Sequence, residues 1–173
     1  MIRNQKYLCF ILSALCGIGW VACTQERQPC LTPKTASLII ETIHLTSDTA
    51  TIPVDTALPA AIFIPVLPKK DTLPETIYPQ QQSLFTISLS SDSTICQWKI
   101  TTDTLPTNQY DTLTFFYQRN LQFLSNACGY TYFYTLDSVH TTHINIDSLH
   151  IINTSVTNNV NTKHLQIFIH RDF

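Results

Sequence analysis

Apolar and polar residues alternate along most of this chain after residue 36. Side chains that alternate in this way point to opposite faces of a β-strand, whereas a helix repeats its apolar positions every three to four residues. The alternation predicts strands at residues 37–45, 61–64, 85–90, 95–101, 113–117, 130–134 and 165–169. Residues 144–146 and 149–151 are predicted to form one strand pair or one bulged strand. This number and spacing of strands favours an all-β fold, a single antiparallel β-sandwich that is immunoglobulin-like or similar.

The longest apolar run, from Tyr7 to Val21, precedes these strands and follows the basic residues Arg3 and Lys6. A short positive segment, an apolar segment and small residues before a cleavage point are typical of a bacterial secretion signal. Cys23 stands where a lipoprotein peptidase leaves the first residue of the mature chain. We therefore predict that residues 1–22 are a signal peptide and that Cys23 is acylated, with palmitate among its acyl chains, which makes the membrane a partner.

Two other interpretations of this segment remain open. In the first, the chain is an ordinary secreted protein in which Cys23 is coincidental. In the second, the apolar run from Tyr7 to Val21 is a transmembrane anchor, which would need about 20 apolar residues. Trp20 departs from the Leu, Val or Ile that is usual three residues before a lipobox cysteine. Thr24, rather than Asp, follows Cys23, which favours sorting to the outer membrane, with the periplasmic or surface leaflet undetermined.

The composition of the remaining chain argues against a nucleic-acid surface. The net charge of the whole sequence is −2, and loss of Arg3 and Lys6 makes the mature chain more acidic. Proteins that bind nucleic acids cluster Lys and Arg, and Lys69-Lys70 is the one basic pair after the signal. The length suits one domain with its own core. No cofactor is predicted.

Removal of the signal and acylation of Cys23 would reduce the six cysteines to Cys30, Cys96 and Cys128. An exported protein meets an oxidising compartment, where a disulfide is expected, and an odd count leaves one thiol over. The preferred pair is Cys30 with Cys128, because Cys96 alternates with Trp98 and is predicted to be a buried, small apolar residue. Three free thiols remain the alternative. The cysteines are too far apart in sequence for a zinc site.

Prolines and glycines divide the chain. All nine prolines lie between Pro29 and Pro106, and proline marks edges and loops because it cannot donate a ladder hydrogen bond. The stretch from Thr107 onward is therefore predicted to supply the central strands. Gly129 is the one glycine after Cys23, and we expect a positive φ or a close approach of two backbones there.

Aromatic residues concentrate between residues 115 and 134. Tyr130, Tyr132 and Tyr134 share one face of the predicted strand, and Phe133 takes the other. If Phe133 is buried, the three tyrosines form an exposed strip that would stack on sugars or contact a partner protein. The alternative is that they are core residues with their hydroxyls at the rim.

Candidate chemistry is weak in this sequence. His140 and His143 are three residues apart and would point to opposite faces of a strand unless a turn separates them, so no metal site is predicted. Two similar clusters, residues 137–140 and residues 147–150, each contain Asp, Ser and His. A catalytic nucleophile usually sits on a glycine-supported turn, and the one such place holds Cys128. We predict no catalytic residue.

One element of the chain points to a known family. Residues 125–130 form a Ser-x-x-Cys-Gly-aromatic element. With it come, in chain order, Cys23 and Cys30, residues 111–117, residues 144–151, and residues 164–167 after an Asn-rich turn. Together they resemble a family of small lipoproteins of the Bacteroidota, catalogued as a domain of unknown function (six-four-five-two in that series). Cys96 departs from the pattern. The resemblance implies an envelope location and a β fold, and implies no chemistry.

These observations predict three segments: residues 1–22 as signal, residues 23–36 as lipidated N-terminus and tether, and residues 37–173 as the β-sandwich. The predicted function is a non-catalytic accessory or interaction module of the cell envelope, anchored by acylated Cys23 and able to bind an envelope protein. The alternative is a module that binds glycan or peptide through the tyrosine strip. A hydrolase comes third.

Overall fold

The computed structural model describes residues 29–45, 53–55, 58, 60–68, 73–102 and 110–169. The chain divides into two compact units, Met1–Cys30 and Leu31–Phe173. The predicted signal peptide and Cys23 lie outside the described residues. Within the described part, no helix is long and apolar enough to cross a membrane.

The described residues of the second unit form β-strands joined by loops. In chain order they are β1 (Ser37–Leu45), β2 (Pro53–Asp55), β3 (Ala61–Leu67), β4 (Thr76–Tyr78), β5 (Leu84–Ser88), β6 (Ile95–Thr102), β7 (Asp111–Ser125), β8 (Gly129–His140), β9 (Ile146–Ile151), β10 (Ser155–Val156) and β11 (Leu165–Ile169).

The strands form two sheets. One has the order β2-β1-β11-β9, with β5 also paired to β1. In it β1 and β11 run parallel, with Ile40 opposite Leu165. The other sheet has the order β10-β8-β7-β6-β3-β4 and is antiparallel throughout. Their buried side chains form one hydrophobic cluster. The predicted all-β sandwich is therefore confirmed, but the parallel β1–β11 pair departs from the predicted antiparallel pairing.

The core takes every second residue of most strands, as a pleated strand requires. In β7 the buried residues are Asp111, Leu113, Phe115 and Tyr117, and the residues between them are half-buried. β11 has the same alternation. β1 differs, because residues 38–43 are buried on both faces. A strand that is covered on both faces has a nearly continuous apolar run, which is what β1 shows.

Proline positions agree with the hydrogen-bond ladders. Pro53 lies in the edge strand β2, and Pro65 lies in β3 beyond the last residue paired with β4, beside a register shift against β6. The prediction that the stretch after Thr107 supplies the central strands is only partly right. β7, β8 and β11 are interior, but β9 and β10 are edges, and β1, β3 and β6 are interior as well.

The long β7–β8 hairpin turns at residues 126–128. Ser125 pairs with Gly129, and the Ser125 hydroxyl accepts a hydrogen bond from the Cys128 N–H at 3.0 Å. Gly129 has φ of 75°, the conformation that favours glycine after a three-residue loop. The space that a Cβ atom would occupy there is open, so the conformation and not crowding accounts for glycine. Cys128 is bonded to Cys30, which is the predicted disulfide.

Candidate functional site

The three tyrosines of β8 share one face but differ in exposure. Tyr130 is 66% exposed, Tyr132 is half-buried, and Tyr134 is 6% exposed and belongs to the core cluster. A strip with all three tyrosines exposed is therefore wrong. The reason is that one face of the hairpin passes from the sandwich interior at Leu136 to solvent at Tyr130. Phe133, on the other face, is half-buried rather than buried.

These tyrosines line a cleft of about 310 Å³. Residues 34–36, Leu73 and the loop of residues 88–92 form its other walls. Thr131 also lines it, and its hydroxyl donates a hydrogen bond to the carbonyl of Lys34. The cleft thus joins segments that are remote in sequence. We call it the tyrosine cleft.

Side chains of β7 and β8 fix the loop that walls the tyrosine cleft. The Tyr134 hydroxyl donates to the carbonyl of Leu89 at 3.3 Å. The Tyr117 hydroxyl donates to the carbonyl of Ser90 at 3.1 Å and accepts from the Ser90 N–H at 2.9 Å. The Arg119 guanidinium donates to the next carbonyl, that of Ser91. Three consecutive backbone units are therefore held, and this wall of the cleft is fixed by the protein's own hydrogen bonds.

The side chains of Cys96, Tyr117 and Tyr134, which adjoin this loop, are uncharged. Burial raises the pKa of Cys96 to about 12, although a hydrogen bond with Tyr117 opposes the shift. Burial is also the main cause that raises the pKa of Tyr117 and of Tyr134. The thiol and both phenols are therefore protonated near neutral pH. Because the thiolate is the reactive form of cysteine, buried Cys96 is not a nucleophile.

The open side of the tyrosine cleft carries charge. Lys34 and Asp92 are exposed residues of its lining. The Arg119 guanidinium carbon lies 5.9 Å from the centre of the Tyr132 ring, within the range of a cation–π contact. Aromatic faces, hydroxyls and both signs of charge therefore surround one cavity. Such a lining suits a ligand that presents both apolar faces and hydrogen-bonding groups.

The two Asp-Ser-His clusters lie in β8 and β9, and in each the aspartate stands at an irregularity of the strand ladder. In β8 the ladder shifts register at Asp137, because Phe116 pairs with Ser138 and Tyr117 with Leu136, and Asp137 is exposed. The Asp137 carboxylate accepts a hydrogen bond from Gln118 at 3.2 Å. The β9–β11 ladder likewise shifts register at Asp147, which lies between the paired residues Ile146 and Ser148. Cys128 is not a thiol nucleophile, because it is disulfide-bonded.

The histidines do not gather either. In the part of the chain that the structure describes, no group of three or more His, Cys, Asp or Glu is arranged to hold a metal ion. His140 stacks edge-on against Phe116, with ring centres 5.6 Å apart. His143 has φ of 56° and contacts backbone carbonyls of Ile146 and Asp147 through Nδ1.

A model described as a family of unknown function, DUF6452, matches residues 61–169, more than half of the chain. The chain belongs to the DUF6452 family. The match begins with β3 and ends with β11, so it includes the hairpin and all three tyrosines of the cleft. It does not include Cys23, Cys30 or β1. No curated protein and no solved structure matches the chain.

Three buried ionisable residues of this DUF6452 protein were not predicted from the sequence: Glu41, Asp111 and His164. Glu41 is paired with Lys163 and accepts a hydrogen bond from the Gln166 amide at 2.9 Å. Each lies within or beside an apolar alternation, and that is the signal that could have revealed them. Buried polar groups need such partners, because an unpaired one costs free energy.

His164 is fully buried, and its Nδ1 accepts a hydrogen bond from the Ile39 N–H at 3.0 Å. An accepting Nδ1 means a neutral ring. Burial lowers the pKa of His164 below its ordinary value of 6.5, and the Ser155 backbone only partly opposes this. In the unfolded chain the imidazole binds a proton below pH 6.5. In the folded protein, burial shifts protonation of the ring to lower pH.

We therefore expect His164 to destabilise the fold as the pH falls below 6.5. The free energy of unfolding should decrease by up to about 1.4 kcal/mol per pH unit between pH 6.5 and the lowered pKa of the folded state. Urea unfolding of the protein and of His164→Gln at pH 5 to 8 measures this. The glutamine amide oxygen can still accept a hydrogen bond but does not titrate. A stability difference between the two proteins that does not change with pH would contradict the prediction.

Proposed function

We propose that this DUF6452 protein is an outer-membrane lipoprotein, acylated at Cys23, whose β-sandwich is a non-catalytic accessory module. The apolar run after Arg3 and Lys6 and the position of Cys23 support the anchor. The resemblance to Bacteroidota lipoproteins, which includes the position of Cys23, agrees with it. In this proposal the module recognises a glycan or a peptide and leaves it chemically unchanged.

The tyrosine cleft carries the binding part of the proposal. Its loop wall is held by Tyr117, Arg119 and Tyr134, so a ligand need not order it. The Tyr132 ring offers a flat apolar face, and Lys34 and Asp92 supply polar contacts at the opening. Aromatic faces beside hydrogen-bonding groups are the usual means of holding sugar rings and extended peptides.

A protein partner in the envelope is the second candidate. β4 is the edge of its sheet, pairs with β3 over only three residues, and carries the exposed Ile77. An edge strand can accept a further strand from another protein. This surface is separate from the lining of the tyrosine cleft, so variants can distinguish the two candidates.

We expect Tyr132→Ala to weaken ligand binding about tenfold, the usual effect of truncating an aromatic anchor. The measurement is binding to glycan arrays and a peptide library, followed by titration of the best ligand. Ile77→Ala is the matched control, because it removes an exposed apolar side chain outside the cleft. Equal affinities of Tyr132→Ala and the unmodified protein would contradict the cleft as the ligand site.

The anchor is tested by mass spectrometry of the protein from membrane fractions, beside Cys23→Ala. We expect an acylated N-terminal Cys23 and loss of the variant from the outer membrane. Affinity purification under mild detergent then asks whether an envelope protein accompanies the acylated form. A partner lost with Ile77→Arg but retained with Tyr132→Ala would favour the edge strand over the cleft.

A further inference from the structure

The end of the β7–β8 hairpin exposes a set of apolar side chains. Leu121 is 59% and Phe123 is 46% exposed, and Leu121 is opposite Tyr132 while Phe123 is opposite Tyr130. Directly opposite residues of an antiparallel pair lie on the same face. The rings of Phe123 and Tyr130 are in contact, with centres 5.1 Å apart. We call Leu121, Phe123, Tyr130 and the 90% exposed Leu31 the hairpin-tip surface.

Covalent bonds hold this surface near the proposed lipid. Cys128, in the turn of the hairpin, is bonded to Cys30, and Leu31 follows Cys30 directly. The seven peptide units between Cys23 and Cys30 span at most about 25 Å in any conformation. A disulfide adds about 6 Å between Cα atoms. The acylated residue therefore lies within about 30 Å of the hairpin turn.

This reach is shorter than the hairpin itself. The twelve residues of β8 extend over about 40 Å. The disulfide therefore limits the distance of the hairpin turn from the acylated residue to this reach, while the other end of the hairpin, beside Ile144, can lie farther away. Ile144 is also exposed, so the two ends can be compared directly.

The charges agree with a membrane contact. From Gln118 to Tyr134 the chain has no carboxylate and has one cation, Arg119, although the protein as a whole is acidic. Bacterial membranes are anionic, and a carboxylate-free segment meets no repulsion there. Tyrosine is enriched at the membrane–water interface because its ring is amphipathic. Exposed apolar residues grouped in this way mark an interaction site.

From these observations we infer that the hairpin-tip surface docks on the bilayer that holds the acyl chains of Cys23. The inference rests on the proposed acylation. Docking would set the domain with the β7–β8 turn toward the lipid and the Asp111 end of β7 away from it. Because Tyr130 belongs both to this surface and to the tyrosine cleft, the cleft would then open beside the membrane.

Tryptophan quenching by brominated lipids tests the inference. The acylated protein carrying Tyr130→Trp is reconstituted in vesicles of phosphatidylethanolamine and phosphatidylglycerol, with or without bromine on the acyl chains. Ile144→Trp is the matched control. Buried Trp98 is present in both and gives the same background. We expect brominated lipid to reduce the added emission of Tyr130→Trp at least twofold and to leave that of Ile144→Trp unchanged.

Equal quenching of the two variants would overturn the inference. So would a blue-shifted Tyr130→Trp emission without quenching, which would mean that a second copy or another protein covers the tip. If mass spectrometry finds no acyl chain, the proposed anchor fails instead. The mature chain is then coupled through its Cys23 thiol to a maleimide lipid in the same vesicles, which is selective because Cys30 and Cys128 are bonded and Cys96 is buried. Quenching there tests docking by itself.

Discussion

Replacement of Cys128 by alanine is expected to lower the free energy of unfolding by about 3–5 kcal/mol. The Cys30–Cys128 bond closes a loop of about 100 residues, and a loop of that length restricts the unfolded chain strongly. This loss would be a large fraction of the stability of a single domain. Denaturant unfolding of the oxidised protein and of the variant measures it.

Control variants distinguish the effect of losing the disulfide from the effect of losing the cysteine side chains. The single variants leave one thiol that can pair between molecules, so the double variant Cys30→Ala/Cys128→Ala is measured as well. Both singles and the double should lose the same amount, because either substitution removes the same bond. Cys96→Ala should respond to reductant as the unmodified protein does, since Cys96 is not bonded. Additive losses in the double variant, or a loss below about 1 kcal/mol, would contradict the prediction.

The long strands could be predicted because the pleat imposes its period on the sequence. β1 and β11 begin and end at the predicted residues, Ser37–Leu45 and Leu165–Ile169. The strands that were missed, β2, β4 and β10, have only two or three residues. A segment of that length shows no alternation, and its extended form follows from pairing with a neighbour in the folded sheet.

In the β7–β8 hairpin, the alternation of apolar and polar residues does not predict the full length of the strands. The predicted strand at 113–117 is only the inner part of β7, which continues to Ser125. Beyond Tyr117 one face of the hairpin leaves the sandwich, so apolar residues are no longer required at every second position. Hydrogen bonds to β8 continue the strand nevertheless, as the register from Gln118 to Phe123 shows.

The same limit applies to the tyrosine cleft. The two-residue repeat of a β-strand correctly predicts that Tyr130, Tyr132 and Tyr134 share one face. In the structure all three line one cavity. Their exposure depends on where the hairpin passes the end of the other sheet, which is not a local property. The loop at residues 88–92 joins them only through the folded packing of two sheets.

The burial of Asp111 could have been predicted from the sequence. The residue alternates with Leu113 and Phe115, so the pleat places its carboxylate on the buried face of β7, where it is 1% exposed. A charged residue at such a position implies partners. The hydrogen-bond partners of Asp111 come from residues 141–145, about thirty positions away. The sequence pattern does not indicate which distant segment supplies them.

We expect Asp111→Ala to lower the free energy of unfolding by about 2–4 kcal/mol. One carboxylate oxygen accepts hydrogen bonds from the Ile144 N–H at 2.8 Å and the Thr142 hydroxyl at 2.9 Å. The other accepts from the Asn145 N–H at 2.8 Å. Alanine would leave these donors without their acceptor, and bonds to a charged acceptor are among the strongest in proteins. Urea unfolding measures the loss.

Asp111→Asn keeps the shape of the side chain but removes its charge and one of its two acceptor oxygens. The amide keeps one oxygen, but its NH₂ group would face a backbone N–H, so we expect a loss of about 1.5–3 kcal/mol. Asp137→Asn is the matched control, because Asp137 is exposed on the same hairpin and should change stability by less than about 0.5 kcal/mol. Hydrogen exchange should show the amides of Ile144 and Asn145 losing protection in Asp111→Asn alone. Equal stability of the two asparagine variants would show that the carboxylate does not hold this loop.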